Sequence, residues 1–245
     1  MASELPDFYY HDHFNEMLSF VCRHYQHALD AEHEAFIRDF RRLGVAAQRL
    51  YIRLANRRGR VFDTAKLRYP EIAPLNTALR DLRAADWIAA PTADDYPYLL
   101  ACLTKGQLHA AACACLGGIS RSWKKAELVE MLLNNVRPDV FLNTIDVAHL
   151  IVQRRGGTLG YLLYLYFGET QDRLEKFAMR DLGLVRTHAV SDSFEPRFHS
   201  REDALQAWYF ATRLDQLKSA TSPQRDVMID EASAWPEPSC TVAAE

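Results

Sequence analysis

The sequence predicts a mainly α protein with a small winged-helix unit near its front. Three observations carry that expectation. Apolar residues recur at three- and four-residue intervals along most of the chain. Two short stretches, VFDTAKLRYPEI and WIAA, break that period and give the order helix, short strand, helix, short strand. Further on, GGISRSWKKAEL joins two short helical segments through a turn rich in small and basic residues. A generic small α+β unit fits the same order of elements.

The elements follow in sequence. Residues 1–44 form a helical N-terminal segment, in which Phe14, Met17, Leu18, Val21 and Tyr25 share one face and Ala35, Phe36 and Phe40 continue the pattern. Residues 45–90 form the winged-helix unit. It opens with VAAQRLYIRLANRRG, where Leu50 and Leu54 face one way and Arg49, Arg53 and Arg57 another, with Gly59 expected to end the helix. PLNTALRDLRAADW is again helical, with Leu75, Leu79 and Leu82 on one face, and WIAA is the second strand. APTADDYP, Ala90 to Pro97, reads as a linker by composition.

Residues 97–136 form a helical hairpin, with helical segments expected at Tyr98–Leu116 and Trp123–Asn134 and with Lys124 and Lys125 in the first turn of the second. Residues 138–218 read as a helical connector. It takes in VFLNTIDVAHLIVQRR, the apolar run from Leu159 to Phe167, DRLEKFAMRDLGLV, and the amphipathic REDALQAWYFATRLDQL with Leu205, Trp208, Tyr209, Thr212 and Leu214 on its apolar side. Residues 219–245 show no clean period and read as a mobile tail or a truncated linker.

Composition narrows the function classes. The net charge of −3 argues against a uniformly basic nucleic-acid binder. The charge is segregated, however: Arg38 to Arg68 holds ten Lys or Arg and two acids, whereas Ser222 to Glu245 holds one Arg and five acids. The five cysteines form no C-x-x-C pair, consistent with a reduced, cytosolic chain. MASELPDFYYHDHF lacks the basic start and apolar core of a signal peptide. GYLLYLYFG is too short to span a bilayer.

The catalytic signatures are missing. Pro138-Asp139 is a Pro-Asp pair, but the chain holds no Asp-x-Lys or Glu-x-Lys to accompany it, so it reads as a helix start. His24 and His27 have helical spacing without companion ligands and read as a solvated face. No phosphate-binding loop, dinucleotide fingerprint or nucleophile elbow is present. No catalytic and no metal-binding residue is therefore assigned. Nucleic-acid binding has better support. Arg49, Arg53, Arg57, Arg58, Arg60, Lys66 and Arg68 crowd one segment and suit phosphate neutralisation, although a solvated basic face accounts for the charge equally well.

LTKGQLHAAACACLGGISRSWKKAELVEML, Leu103 to Leu132, resembles a SAP motif. Leu103, Leu108, Gly117 or Gly118, Ser120, Lys125, Glu127, Leu128, Val129 and Leu132 stand at the matching places. The turn's backbone N–H groups and the second helix's N-terminus would face an anion, with Gly118, Ser120, Arg121, Ser122, Lys124 and Lys125 as the contacting set. The blocks FYYHDHFNEML, AAQRLYIRLANRRGRVFDTAKLRYPEI, the hairpin, ETQDRLEKFAMRDLGLVR and FHSREDALQAWYF follow in one order. In that order they resemble the N-terminal half of the bacterial Fanconi-associated nuclease family, from about Phe8 to Leu217.

The resemblance implies a winged-helix and SAP-type DNA-binding region followed, in the family, by a VRR-type nuclease domain that uses Mg²⁺ or Mn²⁺. It implies cleavage of branched DNA near 5′ flaps, 5′-directed phosphodiesterase action, a role in DNA repair, and a cytoplasmic, nucleoid-associated location. The nuclease signature is not among these 245 residues, so the chain is expected to bind the branched or 5′-flap substrate without cutting it and without a cofactor of its own. The DNA contacts carried over from the family are Arg53, Arg57, Arg58, Lys66, Arg121, Lys124 and Lys125. Two other classes fit the residues: a winged-helix transcription regulator, which would prefer one linear duplex sequence, and a helical interaction scaffold, which would bind no DNA at low salt.

Overall fold

A computed structural model describes residues 8–170 and 194–238. Helices dominate, as expected, and one small sheet accompanies them. Contacts divide the chain into two units, Met1–Arg42 with Arg155–Glu245, and Leu43–Arg154.

The first unit is helical. Helix α1 (Tyr9–His24) buries Tyr10, Phe14, Met17, Leu18 and Val21, the stripe its period predicted. Helix α2 (Ala31–Arg42) adds Phe36, Ile37 and Phe40. His24 and His27 do not share a solvated face. The His24 ring lies 4.6 Å from Phe20 and 4.8 Å from Phe194, while His27 donates to the Phe198 carbonyl at 2.8 Å.

The second unit carries the strands. Helix α3 (Val45–Ala55) buries Leu50, Tyr51, Ile52 and Leu54. It ends at Ala55 with Asn56 as its cap, not at Gly59. Gly59 instead takes φ +81 and turns the chain into strand β1 (Val61–Asp63), a conformation glycine adopts without side-chain strain. Helix α4 (Leu75–Ala84) buries Ala78, Leu79 and Leu82, and strand β2 (Ile88–Ala89) follows it.

The segment expected to be one helix from Tyr98 to Leu116 is two. Helix α5 (Tyr96–Cys102) stops before Thr104, whose hydroxyl and backbone N–H pair with Gln107 in a capping box that starts α6 (Lys105–Leu116). Helix α7 (Lys125–Asn135) and helix α8 (Pro138–Leu142) complete the hairpin region, with Pro138 opening α8 as the sequence suggested.

VFLNTIDVAHLIVQRR is not the continuous helix its composition suggested. Its second half is strand β3 (Leu150–Gln153), which lies between β1 and β2 in an antiparallel sheet of order β1-β3-β2. Val61 pairs with Val152, Asp63 with Leu150, and Ile88 with Gln153. The sheet is therefore that of a winged helix, with α5 to α8 inserted between its last two strands. Val61, Leu150 and Val152 share one core with Leu99, Leu108, Leu128, Leu132 and Phe141, so strands and hairpin bury one continuous apolar surface.

In the first unit the chain continues as α9 (Gly156–Phe167), which buries Leu159 and every residue from Tyr161 to Leu165, the pattern of a core helix. Helix α10 (Arg201–Ser219) buries Ala204 and Ala207 and packs Trp208 against Tyr164, but Leu214 is exposed, unlike its expected place on the apolar side. Within the stretch that lacks a clean period, Ser222–Asp230 forms a further helix, α11, which Thr221 caps with Gln224. DRLEKFAMRDLGLV lies outside the described residues.

Candidate nucleic-acid interface

All thirteen residues singled out in the sequence fall in the unit Leu43–Arg154. Their surroundings differ. Arg58, Arg68, Arg121, Lys124 and Lys125 are exposed, as are Gly118, Ser120 and Ser122, whereas Arg49, Arg53 and Arg60 are half-buried.

On the α3 side, Arg53 pairs with Glu71 at 2.8 Å and lies over the Tyr69 ring at 5.9 Å. Arg57 lies over the same ring at 5.5 Å. Burial pushes the Tyr69 phenol up, against the smaller pull of Arg57 and Arg53, so the ring stays a neutral plate under two guanidinium groups. Arg68 donates to the carbonyls of Ala65 and Leu67 at 2.7 and 2.8 Å, which fixes the turn after β1.

Arg60 has a structural task. Its guanidinium donates to Asp95 at 2.9 Å and covers the Tyr98 ring at 4.7 Å. Asp95 is fully buried and also accepts from Arg154 and from the N–H and hydroxyl of Thr92. The APTADDYP stretch is thus a tightly held joint, with Asp95 and Tyr96 both buried.

The turn quoted above is held from within. Gly117 takes φ +85 and ends α6. His109 donates to the Ile119 carbonyl at 2.9 Å, the Ser120 and Ser122 hydroxyls meet at 2.9 Å, and Trp123 packs against the core. Lys124 is the N-cap of α7 and not a first-turn residue, because its N–H is taken by the Glu127 carboxylate at 2.7 Å. One of the donors expected to face an anion is therefore already occupied. Lys125 reaches back and donates from Nζ to the Ala101 carbonyl at 2.8 Å.

The two basic groups meet at α5. Lys66, paired with Asp63 at 3.0 Å and 59% exposed, and Lys125 both act on the thiol of Cys102. Burial pushes that thiol up, while Lys66 and Lys125 pull it down. Lys125 bonds Ala101 of α5, and Val61 of β1 shares a core with Leu99 and Leu100, so the start of α7 and the strand before Lys66, far apart in sequence, both border that helix. The sequence reading missed α5 as the element that both groups border and Asp95 as the hub. It also passed over Asn76, Arg80 and Arg83 on α4, whose i, i+4, i+7 spacing was the available signal. Among the described residues no group of three or more His, Cys, Asp or Glu is placed to hold a metal ion, and no helix is long and apolar enough to cross a membrane.

The fold and site define a winged-helix protein with a basic helical hairpin inserted in its wing. Residues 8–89 match the family described as FAN1, HTH domain. The chain is similar to the Fanconi-associated nuclease 1 homolog of Pseudomonas aeruginosa, 30% identical over 203 residues that cover 81% of this chain and 36% of that protein. It is 26% identical to the homolog of Arabidopsis thaliana, over 89% of this chain and 26% of that one. Among solved structures, paFAN1 bound to 2nt 5′-flap DNA with a gap superposes with a TM-score of 0.77 at 25% identity, covering 97% of this chain and 43% of that one. A second paFAN1 structure, bound to 1nt 5′-flap DNA with a gap, shares the fold with a TM-score of 0.73 at 24% identity. The chain spans roughly a third of the Pseudomonas relative's length. It is FAN1-like in sequence over residues 8–89 and in fold over most of its length.

Proposed function

We propose that this chain is the DNA-holding part of a structure-specific nuclease that acts on branched, 5′-flap DNA in DNA repair. The observation that carries the reading is that both basic groups border α5: Lys125 donates to the Ala101 carbonyl of that helix, and the exposed Lys66 follows β1, whose Val61 shares a core with Leu99 and Leu100, which makes the helix the middle of one basic edge. Arg121 and Lys124 extend that edge, and both are exposed. The similarity to paFAN1, whose structures hold 5′-flap DNA, supports the same reading.

Binding would proceed through phosphates. The ammonium groups of Lys66, Lys124 and Lys125 and the guanidinium groups of Arg58 and Arg121 replace condensed counterions along the strand. The Ser120–Ser122 pair supplies hydroxyl donors from a loop whose shape is already set. Cutting would fall to a metal-dependent domain of the VRR type, with Mg²⁺ or Mn²⁺ as its ion, in a cytoplasmic, nucleoid-associated setting. The described residues serve to hold and orient the duplex arms.

The test is a salt titration of binding to a labelled 5′-flap DNA by fluorescence anisotropy. With about four to six phosphate contacts, log affinity should fall against log salt with a slope of roughly −4 to −5. A flat response would overturn the electrostatic reading. A strong preference for one linear duplex sequence over the flap would point instead to a regulator.

A further inference from the structure

Helix α4 has two unlike faces. Ala78, Leu79 and Leu82 are buried, while Asn76, Arg80 and Arg83 stand on the other side and are exposed. These three border a concavity of about 620 Å³, whose far wall is the turn after β1 and the residues before β3, Thr64, Asp146 and His149 among them. The floor is fixed: the Thr64 N–H and hydroxyl donate to the His149 carbonyl at 2.8 and 2.9 Å. Asp146, the acid in the lining, lies 3.7 Å from the His149 ring, and Arg80 lies 3.6 Å from its neighbour Asp81. Two guanidinium groups and a carboxamide are thus presented side by side from one rigid helix.

We infer that this α4 face takes the phosphate backbone of a duplex DNA arm, as a second contact beside the Lys66–Lys125 edge. The inference rests on the DNA-binding reading and locates a part of it. Three observations point the same way. In the sheet order β1-β3-β2, α4 is the helix that precedes the wing, the place from which helix-turn-helix folds present a helix to a groove. The chemistry fits, because Arg binds phosphate through a planar fork and Asn supplies both a donor and an acceptor. The surface also extends beyond α4: Thr64 and Ala65, of the turn that ends in the exposed Lys66, line the same concavity. A helix face that merely met water would need neither the concavity nor that extension.

The experiment compares the intact chain with Arg80→Ala/Arg83→Ala and with Lys124→Glu, on a plain duplex and on a 5′-flap, by anisotropy across a salt series. The α4 variant should lower the magnitude of the salt slope by about two, roughly one for each lost phosphate contact, and weaken binding about tenfold on both DNAs. Circular dichroism and melting should be close to those of the parent, since both side chains are exposed; Arg80→Gln/Arg83→Gln serves if the alanine variant melts early. An unchanged slope and affinity in the α4 variant, with Lys124→Glu still weakened, would overturn this inference and leave the DNA-binding reading intact. Failure of the parent chain to bind either DNA would overturn that reading itself.

Discussion

Replacing Asp95 by Asn should destabilise the Leu43–Arg154 unit by more than any change to its basic surface. The Asp95 carboxylate is 0% exposed. One oxygen accepts from Arg60 at 2.9 Å and Arg154 at 3.3 Å, and the other from the Thr92 N–H and hydroxyl at 3.0 Å each and from Arg154 at 3.3 Å. Asparagine keeps the volume, removes the charge and turns one acceptor into a donor. Whichever way the amide faces, it meets either Thr92 or the guanidinium groups with hydrogens opposed. A hydrogen bond to a charged group is worth about 1.5–3 kcal/mol, and two or more are lost. Arg60 and Arg154 remain 38% and 26% exposed and recover water, which keeps the loss near its lower bound. The expected cost is about 2–3 kcal/mol at pH 7, or a melting point roughly 10 °C lower for a unit of this size.

The pH dependence gives the prediction a sign. Burial works to raise the Asp95 carboxyl, but the Thr92 N–H and hydroxyl, then Arg154 and Arg60, outweigh it and hold the group below its ordinary value. A depressed folded value means stability that is present above the unfolded carboxyl pKa of about 3.9 and is lost as pH falls through the folded value. The gap between parent and Asp95→Asn should therefore be full at pH 7 and close below about pH 4. Urea unfolding followed by circular dichroism at a series of pH values measures it. A gap under about 0.5 kcal/mol at pH 7, or one that stays constant into the acid range, would refute the account of Asp95 as a charged hub.

Two further predictions concern the turn. Lys124→Glu should weaken flap binding about tenfold and more than Lys124→Gln does, since a phosphate attraction becomes a repulsion, while the melting point shifts by less than about 2 °C; anisotropy and calorimetry on one preparation check both. Gly117→Ala should cost about 1–3 kcal/mol because φ +85 with ψ −166 suits glycine alone, whereas Gly118→Ala should be close to neutral in the same melting assay.

Much of the fold was legible in the sequence, because helices announce themselves locally. The stripe of α1, the face of α3 and the proline that opens α8 are all written within a few residues of where they act, whereas the Thr104 cap that splits Tyr98–Leu116 into two helices was passed over. So was the basic segment, since charge can be counted without knowing the fold.

What tertiary structure alone decided involves partners distant in the chain. LIVQ buries Leu150, Ile151 and Val152, and a continuous apolar run looks the same in a buried strand and a buried helix; pairing with Val61 and Ile88 made it the middle strand. The roles of the arginines were also set at a distance. Arg60 and Arg68 have the same side chain in the same basic segment, yet one is tied to a buried Asp95 and the other, exposed, holds only the carbonyls of its own turn. Lys66 and Lys125 come to border the same helix, α5, only because β1, α5 and α7 pack on one core. A one-dimensional pattern records which face of an element is apolar; which element covers that face, and which charges are thereby brought together or locked away, follows from packing across the whole unit.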